Sequence, residues 1–139
     1  MSVPTKVLNT LDMKPEWINR VQEGFRQVMQ SPGGTATDFA GEPYSPAGKT
    51  GTAESFYDGT EKAKYGSVDT MNLSLVAYAP HNNPEVAMAV VVPWAYQGKS
   101  GHSINLDIGK KALQAYFELK ESRNVEQGDA EEESVSIIE

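Results

Sequence analysis

Two apolar segments joined by a short polar turn constrain this chain more than any other feature of its sequence. In Met71–Ala79, apolar and other residues alternate, which is typical of a strand with one buried face. The alternation places four residues on that face: Met71, Leu73, Leu75 and Ala77. Val86–Val92 reads VAMAVVV, a continuous apolar run typical of a strand covered on both faces. The turn formers PHNNPE lie between the two segments, which are therefore predicted to form an antiparallel hairpin.

Two helices and a third strand flank this hairpin. From Lys14 to Gln30 apolar residues recur at helical spacing, and Pro15 suits the first turn of a helix. Residues 31–47 are rich in Gly, Pro and Ser and predict a surface loop, and Ala47–Ser55 predicts a strand. Ser103 offers an N-cap for a closing helix that ends at about Lys120. We expect an α+β fold in which an antiparallel sheet of about three strands is flanked by an N-terminal and a C-terminal helix.

The apolar stripes of both helices are predicted to face the core. In the first helix the stripe consists of Trp17, Ile18, Val21, Phe25, Val28 and Met29. In the closing helix the predicted inner face consists of Ile104, Ile108, Ala112, Ala115, Tyr116 and Leu119. We interpret the aromatic and methionine side chains of the first stripe as packing residues and not as a cofactor site.

The acidic charge of the chain is concentrated at its C-terminal end. The 139 residues carry 19 acidic and 12 basic side chains, a net charge of −7. Residues 121–139 hold seven of the acids against one base, Arg123, so residues 1–120 keep 12 acids and 11 bases, a net charge of −1. A nearly neutral body without a basic stripe argues against nucleic acid as a partner. Residues 121–139 are predicted to form a disordered acidic tail after a single domain portion at 1–120.

The composition gives little reason to propose a metal or a membrane span. Cysteine is absent, which excludes disulfides and thiolate metal sites. The two histidines, His81 and His102, have no clustered carboxylates, so we interpret them as structural or solvated and predict no metal and no other cofactor. No apolar run reaches the roughly 20 residues that span a bilayer, and the N-terminus lacks a signal-peptide pattern, so the chain is expected to be soluble.

Other polar and aromatic residues near the strands have ordinary interpretations. Glu54, Asp58 and Glu61 are expected to be solvated carboxylates around a loop. Trp94 and Tyr96 could line the rim of a groove, but we prefer the interpretation that they pack against the closing helix.

The stretch SPAGKTGTAESF, residues 45–56, crowds one lysine, two threonines and two glycines together. A phosphate-binding P-loop requires GxxxxGK[ST] followed by a helix. Here Pro43 occupies the position of the first glycine and a strand is predicted after Thr50, so the P-loop hypothesis fails. From the residues alone, a structural edge strand stays open as an alternative, with Gly48 and Gly51 marking a bend or a close approach.

The longer context of this stretch resembles the penicillin-binding proteins. AGKTGTAE follows a segment that contains Gly34-Thr35-Ala36 and Phe39, and it precedes the hairpin and the closing helix. The helix sequence HSINLDIGKKALQAYFELK is similar to the class B, monofunctional D,D-transpeptidases of Gram-positive type. The resemblance runs from about Val7 to Lys120 and implies a fragment of the β-lactamase-like transpeptidase fold. It also implies binding of peptidoglycan stem peptides that end in D-Ala-D-Ala, and of the β-lactams that mimic them.

The resemblance gives roles to the four consecutive residues Lys49-Thr50-Gly51-Thr52, which we call the lysine motif. Lys49 would place a positive charge beside the serine site and the substrate carboxylate. Thr50 and Thr52 would offer hydroxyl donors to that carboxylate. Gly51 has no side chain, so substrate could lie along the strand as an added β-strand. The backbone N–H of Thr52 would supply half of the oxyanion hole.

Two of the three motifs of that family are not found in the sequence. No serine is followed three residues later by lysine, so the nucleophile of the SxxK motif is missing. The second family motif, SxN, has a formal match at Ser103-Ile104-Asn105. In the family this motif precedes the lysine motif, whereas here it follows it, so we interpret the match as a coincidence. Lys99-Ser100-Gly101, a second match to the lysine motif, is interpreted as a turn. The resemblance thus implies the C-terminal part of a larger serine D,D-transpeptidase that is inactive alone. It further implies a parent protein anchored in the cytoplasmic membrane, with this domain on the outer face.

Two other functions stay open beside this one. The chain could be a non-catalytic module that binds a peptide or a protein along its exposed strand, or a relative of the serine β-lactamases, against which the closing helix argues. A part of a domain would also expose a strand edge and apolar surface, which predicts self-association between copies of the chain.

Overall fold

The fold is a three-stranded antiparallel sheet, whose strands lie side by side in chain order, with two long helices packed against it. The computed structural model describes residues 4, 6–10, 12–95 and 103–136. The predicted α+β class, the three strands and the two long helices are confirmed, whereas the sequence pattern did not predict two further short helices. The elements in chain order are α1 (Pro15–Gln30), a 3₁₀ helix (Thr37–Phe39), β1 (Ala47–Phe56), α2 (Lys62–Tyr65), β2 (Asp69–Ala79), β3 (Val86–Ala95) and α3 (Ile104–Ser136).

Helix α1 is buried only toward its C-terminal end. Met29 is fully buried, whereas Trp17 and Val21 are 52% and 56% exposed. An open groove lined by Val21, Tyr78 and Ala87 lies between the N-terminal half of the helix and the sheet. The prediction that the whole apolar stripe faces the core is therefore wrong for this half, since helical spacing shows which face is apolar but not what covers it.

The sheet has one covered face and one open face. Paired residues of antiparallel strands share a face, and Leu75 pairs with Val90 on the covered side. On the other side Val76 and Val91 are 51% and 68% exposed. The prediction that β3 is covered on both faces is wrong within the described residues, where its exposure alternates along the strand.

Helix α3 packs on the covered face through a narrow stripe of Leu106, Gly109 and Leu113. A Cβ atom on Gly109 would lie 2.4 Å from Cδ2 of Leu75 and 2.9 Å from Cε of Met88. The missing side chain at Gly109 therefore lets the helix approach the sheet closely.

The predicted inner face of α3 is wrong as a result. The helix carries two apolar stripes of similar spacing, and the one that contains Gly109 is the one that fits against the sheet. The other stripe is exposed along its whole length: Ile104, Ile108, Ala112, Ala115, Tyr116 and Leu119.

Helix α3 also extends beyond its predicted end at about Lys120. The backbone stays helical to Ser136. Residues 121–136 contain no proline and are rich in glutamate, which has a good helix propensity. Near the predicted end, Lys120 pairs with Glu85 of the turn between β2 and β3. No helix within the described ranges is long and apolar enough to cross a membrane.

The segment between α1 and β1 is part of the core, where the sequence predicted a surface loop. Phe39 is fully buried, and the ring of Tyr44 stacks on Phe117 with 4.9 Å between the centroids. Lys110 of α3 lies 2.8 Å from the carboxylate of Glu42. The hydrogen bond from Lys110 lowers the pKa of Glu42 below its ordinary value, because it favours the charged carboxylate. These contacts hold the segment that leads into β1.

Candidate functional site

The lysine motif lies near the start of β1, which is an edge strand. In the described part of the chain β1 pairs with β2 alone, in register from Ala47–Tyr78 to Phe56–Asp69. The outer edge of β1 is therefore open to an extended peptide, which could add to the sheet as a further strand.

The four motif residues alternate between the two faces of this edge strand. Thr50 and Thr52 pair with buried residues of β2 and lie at the border of the covered face, whereas Lys49 pairs with the exposed Val76. Lys49 and Thr52 are exposed, and Thr50 is half-buried. The open edge strand thus carries a cationic group on one face and two hydroxyl groups on the other.

The ammonium group of Lys49 has no acidic partner among the described residues. It donates a hydrogen bond of 2.7 Å to the backbone carbonyl of Thr50. The side chain therefore lies along the edge of its own strand. An ammonium group that is bonded to a neutral oxygen keeps its charge available for an anionic ligand.

Thr50 contacts a second hydroxyl group that the sequence did not single out. Its Oγ1 lies 3.0 Å from Oγ1 of Thr35, in the segment before the 3₁₀ helix. Thr35 belongs to the Gly34-Thr35-Ala36 sequence that supported the resemblance, but the two threonines lie 15 positions apart, on either side of the 3₁₀ helix and the loop that leads into β1. No periodic pattern predicts a contact of that kind.

The two glycines of β1 mark close approaches and not a bend. A Cβ atom on Gly48 would lie 2.3 Å from the carbonyl oxygen of Val76 and 2.5 Å from Cε of Met29. A Cβ atom on Gly51 would lie 2.4 Å from Oγ of Ser74. Gly48 therefore lets β1 pair closely with β2 beneath α1, and Gly51 leaves the strand without a side chain in the middle of the motif.

The formal SxN match fixes the start of α3 to the sheet. Asn105 is 2% exposed, and its Nδ2 donates to the carbonyl oxygen of Ser74 at 2.8 Å. The Ser103 carbonyl accepts hydrogen bonds from the N–H groups of Leu106 and Asp107, so Ser103 stands at the predicted N-cap position. The predicted turn at Lys99-Ser100-Gly101 lies outside the described residues.

The carboxylates near the motif have surface positions. Glu54 is exposed on β1, not in a loop as predicted, because the strand continues to Phe56. Asp58 lies 2.6 Å from Lys62 in an exposed ion pair, which contributes little to stability.

His81 lies in the turn between β2 and β3, as predicted. It is half-buried, and its backbone N–H donates to the carbonyl oxygen of Ser45 at 3.0 Å. His102 lies outside the described residues. Within the described ranges no three histidine or carboxylate side chains come close enough to hold a metal ion.

Trp94 meets an aromatic side chain that the sequence did not predict as its partner. Its indole contacts Tyr57 edge to face, with 5.4 Å between the ring centroids. The register of β2 and β3 shifts between Met71 and Leu73, and the backbone N–H of Trp94 bonds to Oδ1 of Asn72 at 3.0 Å. This irregularity, with a positive φ of 53° at Trp94, alters the direction of the indole. Tyr96 lies outside the described residues.

Comparisons with known proteins agree on one family. Residues 2–114 match the family described as the penicillin binding protein transpeptidase domain. The chain is 50% identical over 126 residues to penicillin-binding protein 2A of Bacillus subtilis (strain 168), covering 90% of this chain and 17% of that protein. It is 40% identical over 119 residues to penicillin-binding protein H of the same strain, covering 86% and 16% respectively.

A solved structure gives the same result. Penicillin-binding protein 2B from Streptococcus pneumoniae (strain R6) superposes with a TM-score of 0.64 at 29% identity, covering 81% of this chain and 17% of that one. The chain therefore spans about a sixth of the length of the relatives that it matches.

Proposed function

This chain belongs to the penicillin binding protein transpeptidase family, and from that premise we propose that β1 forms one wall of a serine D,D-transpeptidase site. The proposed ligands are stem peptides that end in D-Ala-D-Ala, and β-lactams. The observation that carries the proposal is the open edge of β1, where Lys49, Thr50 and Thr52 stand together on a strand without an outer neighbour in the described residues.

Each group at this edge has a role that its chemistry supports. Lys49 supplies a positive charge for the ligand carboxylate, and the hydroxyl groups of Thr50 and Thr52 donate hydrogen bonds to it. Gly51 leaves room for a substrate backbone along the strand. The N–H of Thr52 faces the substrate carbonyl and stabilises the oxyanion that forms there.

The chemical step requires groups from outside this sequence. In an acyl-transfer reaction a serine oxygen attacks the carbonyl of the penultimate D-Ala, and the terminal D-Ala leaves with its amine. No serine of this chain is followed three residues later by lysine. We therefore assign substrate binding to this chain, and the nucleophile to the remainder of a longer protein that works on the outer face of the cytoplasmic membrane.

A chimeric enzyme tests the proposal. The chain replaces the matching segment of penicillin-binding protein 2A of Bacillus subtilis, and the purified chimera is incubated with a fluorescent penicillin. We expect covalent labelling of the chimera and none of the isolated chain. A folded chimera that takes up no label, or an isolated chain that becomes stably labelled, would contradict the proposal.

We also expect the isolated chain to associate with a second copy through its open sheet face. Val76 and Val91 are 51% and 68% exposed on that face, next to the groove under α1. Sedimentation velocity should show a concentration-dependent dimer. Val91→Glu should weaken this dimer at least tenfold, whereas Thr60→Glu, which adds the same charge in an exposed turn, should not. A strictly monomeric chain at high concentration would rule out this association.

A further inference from the structure

The contact between Thr35 and Thr50 joins the lysine motif to a different segment of the chain. The two Oγ1 atoms lie 3.0 Å apart, and the contact is exposed to solvent. Thr35 has no place among the motif residues, yet its hydroxyl is a hydrogen-bond partner of one of them.

The backbone around Thr35 is fixed on both sides. On one side, a Cβ atom on Gly34 would lie 2.2 Å from the carbonyl oxygen of Val28, so glycine is required for this turn to fit over the end of α1. On the other side, Ala36 is fully buried, and its N–H donates to the same carbonyl at 3.0 Å. Thr35 is therefore held against β1 by contacts that do not involve its own side chain.

A hydroxyl group has one proton to donate and can also accept. If Thr35 donates to Oγ1 of Thr50, the proton of Thr50 stays free for a ligand. If Thr50 donates to Thr35, that proton is taken up. A carboxylate at the strand edge accepts and cannot donate, so it favours the first arrangement. The order of donation is then Thr35 to Thr50 to carboxylate, and each bond polarises the next.

We infer that Thr35 is a positioning residue that orients the Thr50 hydroxyl toward the carboxylate of the ligand. The inference rests on the proposed function, and it adds a residue from outside the lysine motif to carboxylate recognition. It requires that Thr35 matter for ligands that carry a carboxylate and much less for neutral ones.

The test uses the chimera and two ligands, a penicillin with its free carboxylate and the methyl ester of the same penicillin. Thr35→Val should lower the second-order rate of acylation by the free acid about fivefold, as expected for one neutral hydrogen bond. The ester rate should change less than twofold, and Thr35→Ser should restore the rate with the acid. Thr37→Val, an exposed threonine in the same segment, is the matched control and should leave both rates unchanged.

A double-mutant cycle with Thr50→Val separates orientation from independent binding. In the Thr50→Val background, Thr35→Val should have almost no further effect on acylation by the free acid. Equal losses with acid and ester, or independent losses from the two substitutions, would overturn the inference and leave the proposed function standing. A folded parent chimera that takes up no label would contradict the proposed function, and the role of Thr35 with it.

Discussion

Replacing Lys49 with alanine in the chimera should lower the rate of acylation by penicillin about a hundredfold. The ammonium group is exposed at the open edge of β1 and has no carboxylate partner among the described residues. In the role proposed for Lys49, its removal deletes a charge-assisted hydrogen bond to the ligand carboxylate, worth about 1.5–3 kcal/mol. The rate is measured by stopping the reaction with fluorescent penicillin at successive times.

Lys111→Ala provides the matched control for this change. Lys111 is an exposed lysine on α3 with no ion pair in the described structure, so its removal changes the net charge equally without touching β1. Its acylation rate should stay within about twofold of the parent. The melting temperature of the Lys49→Ala chimera should also be unchanged, because the one bond of Lys49 within the described residues is to the carbonyl of its own neighbour. Equal rates for the Lys49 and Lys111 variants would contradict the role given to Lys49.

The features that the sequence predicted well are local ones. The hairpin, the strand that carries Lys49 and the start of α1 at Pro15 follow from spacing, turn chemistry and the fixed φ of proline. The residues of the lysine motif could also be predicted, because they are consecutive in the sequence. Contacts between distant segments were missed: Thr35 meets Thr50 only because the chain folds back over the end of α1.

The buried side of α3 could not be predicted from its local sequence pattern. Ile104 and Ile108 form an apolar stripe at helical spacing, and Leu106 and Leu113 form another. Hydrophobicity favours the first stripe, but Gly109 allows the second to approach the sheet within side-chain contact. Packing is decided by shape at the interface, which requires knowledge of both surfaces.

Three apolar surfaces of the chain are exposed to solvent. One stripe of α3, the N-terminal half of α1 and one face of the sheet are all apolar and exposed within the described residues. An ordinary soluble monomer exposes little contiguous apolar surface. The family relatives are about six times longer than this chain, so these surfaces are where we expect further protein, either the rest of a domain or a second copy.

Gly48→Ala should destabilise the isolated chain by about 3 kcal/mol, the upper end of the usual cost of an overpacked core. The added Cβ would lie 2.3 Å from the carbonyl oxygen of Val76 and 3.0 Å from Cα of Ala77, both on the backbone of β2. The two strands must separate locally to admit it, because backbone atoms cannot rotate away as a side chain does. Urea unfolding at a protein concentration low enough to keep the chain monomeric measures the loss.

Two further variants show whether the collision with the backbone is the cause. Gly33→Ala makes the same chemical change where the new Cβ meets no atom within 4 Å, and it should alter the free energy of unfolding by less than about 1 kcal/mol. Met29→Ala removes the Cε atom that would lie 2.5 Å from the Cβ of residue 48. If the contact with Val76 dominates, Met29→Ala will not rescue Gly48→Ala. Full rescue would instead show that α1, and not β2, limits the space beside the lysine motif.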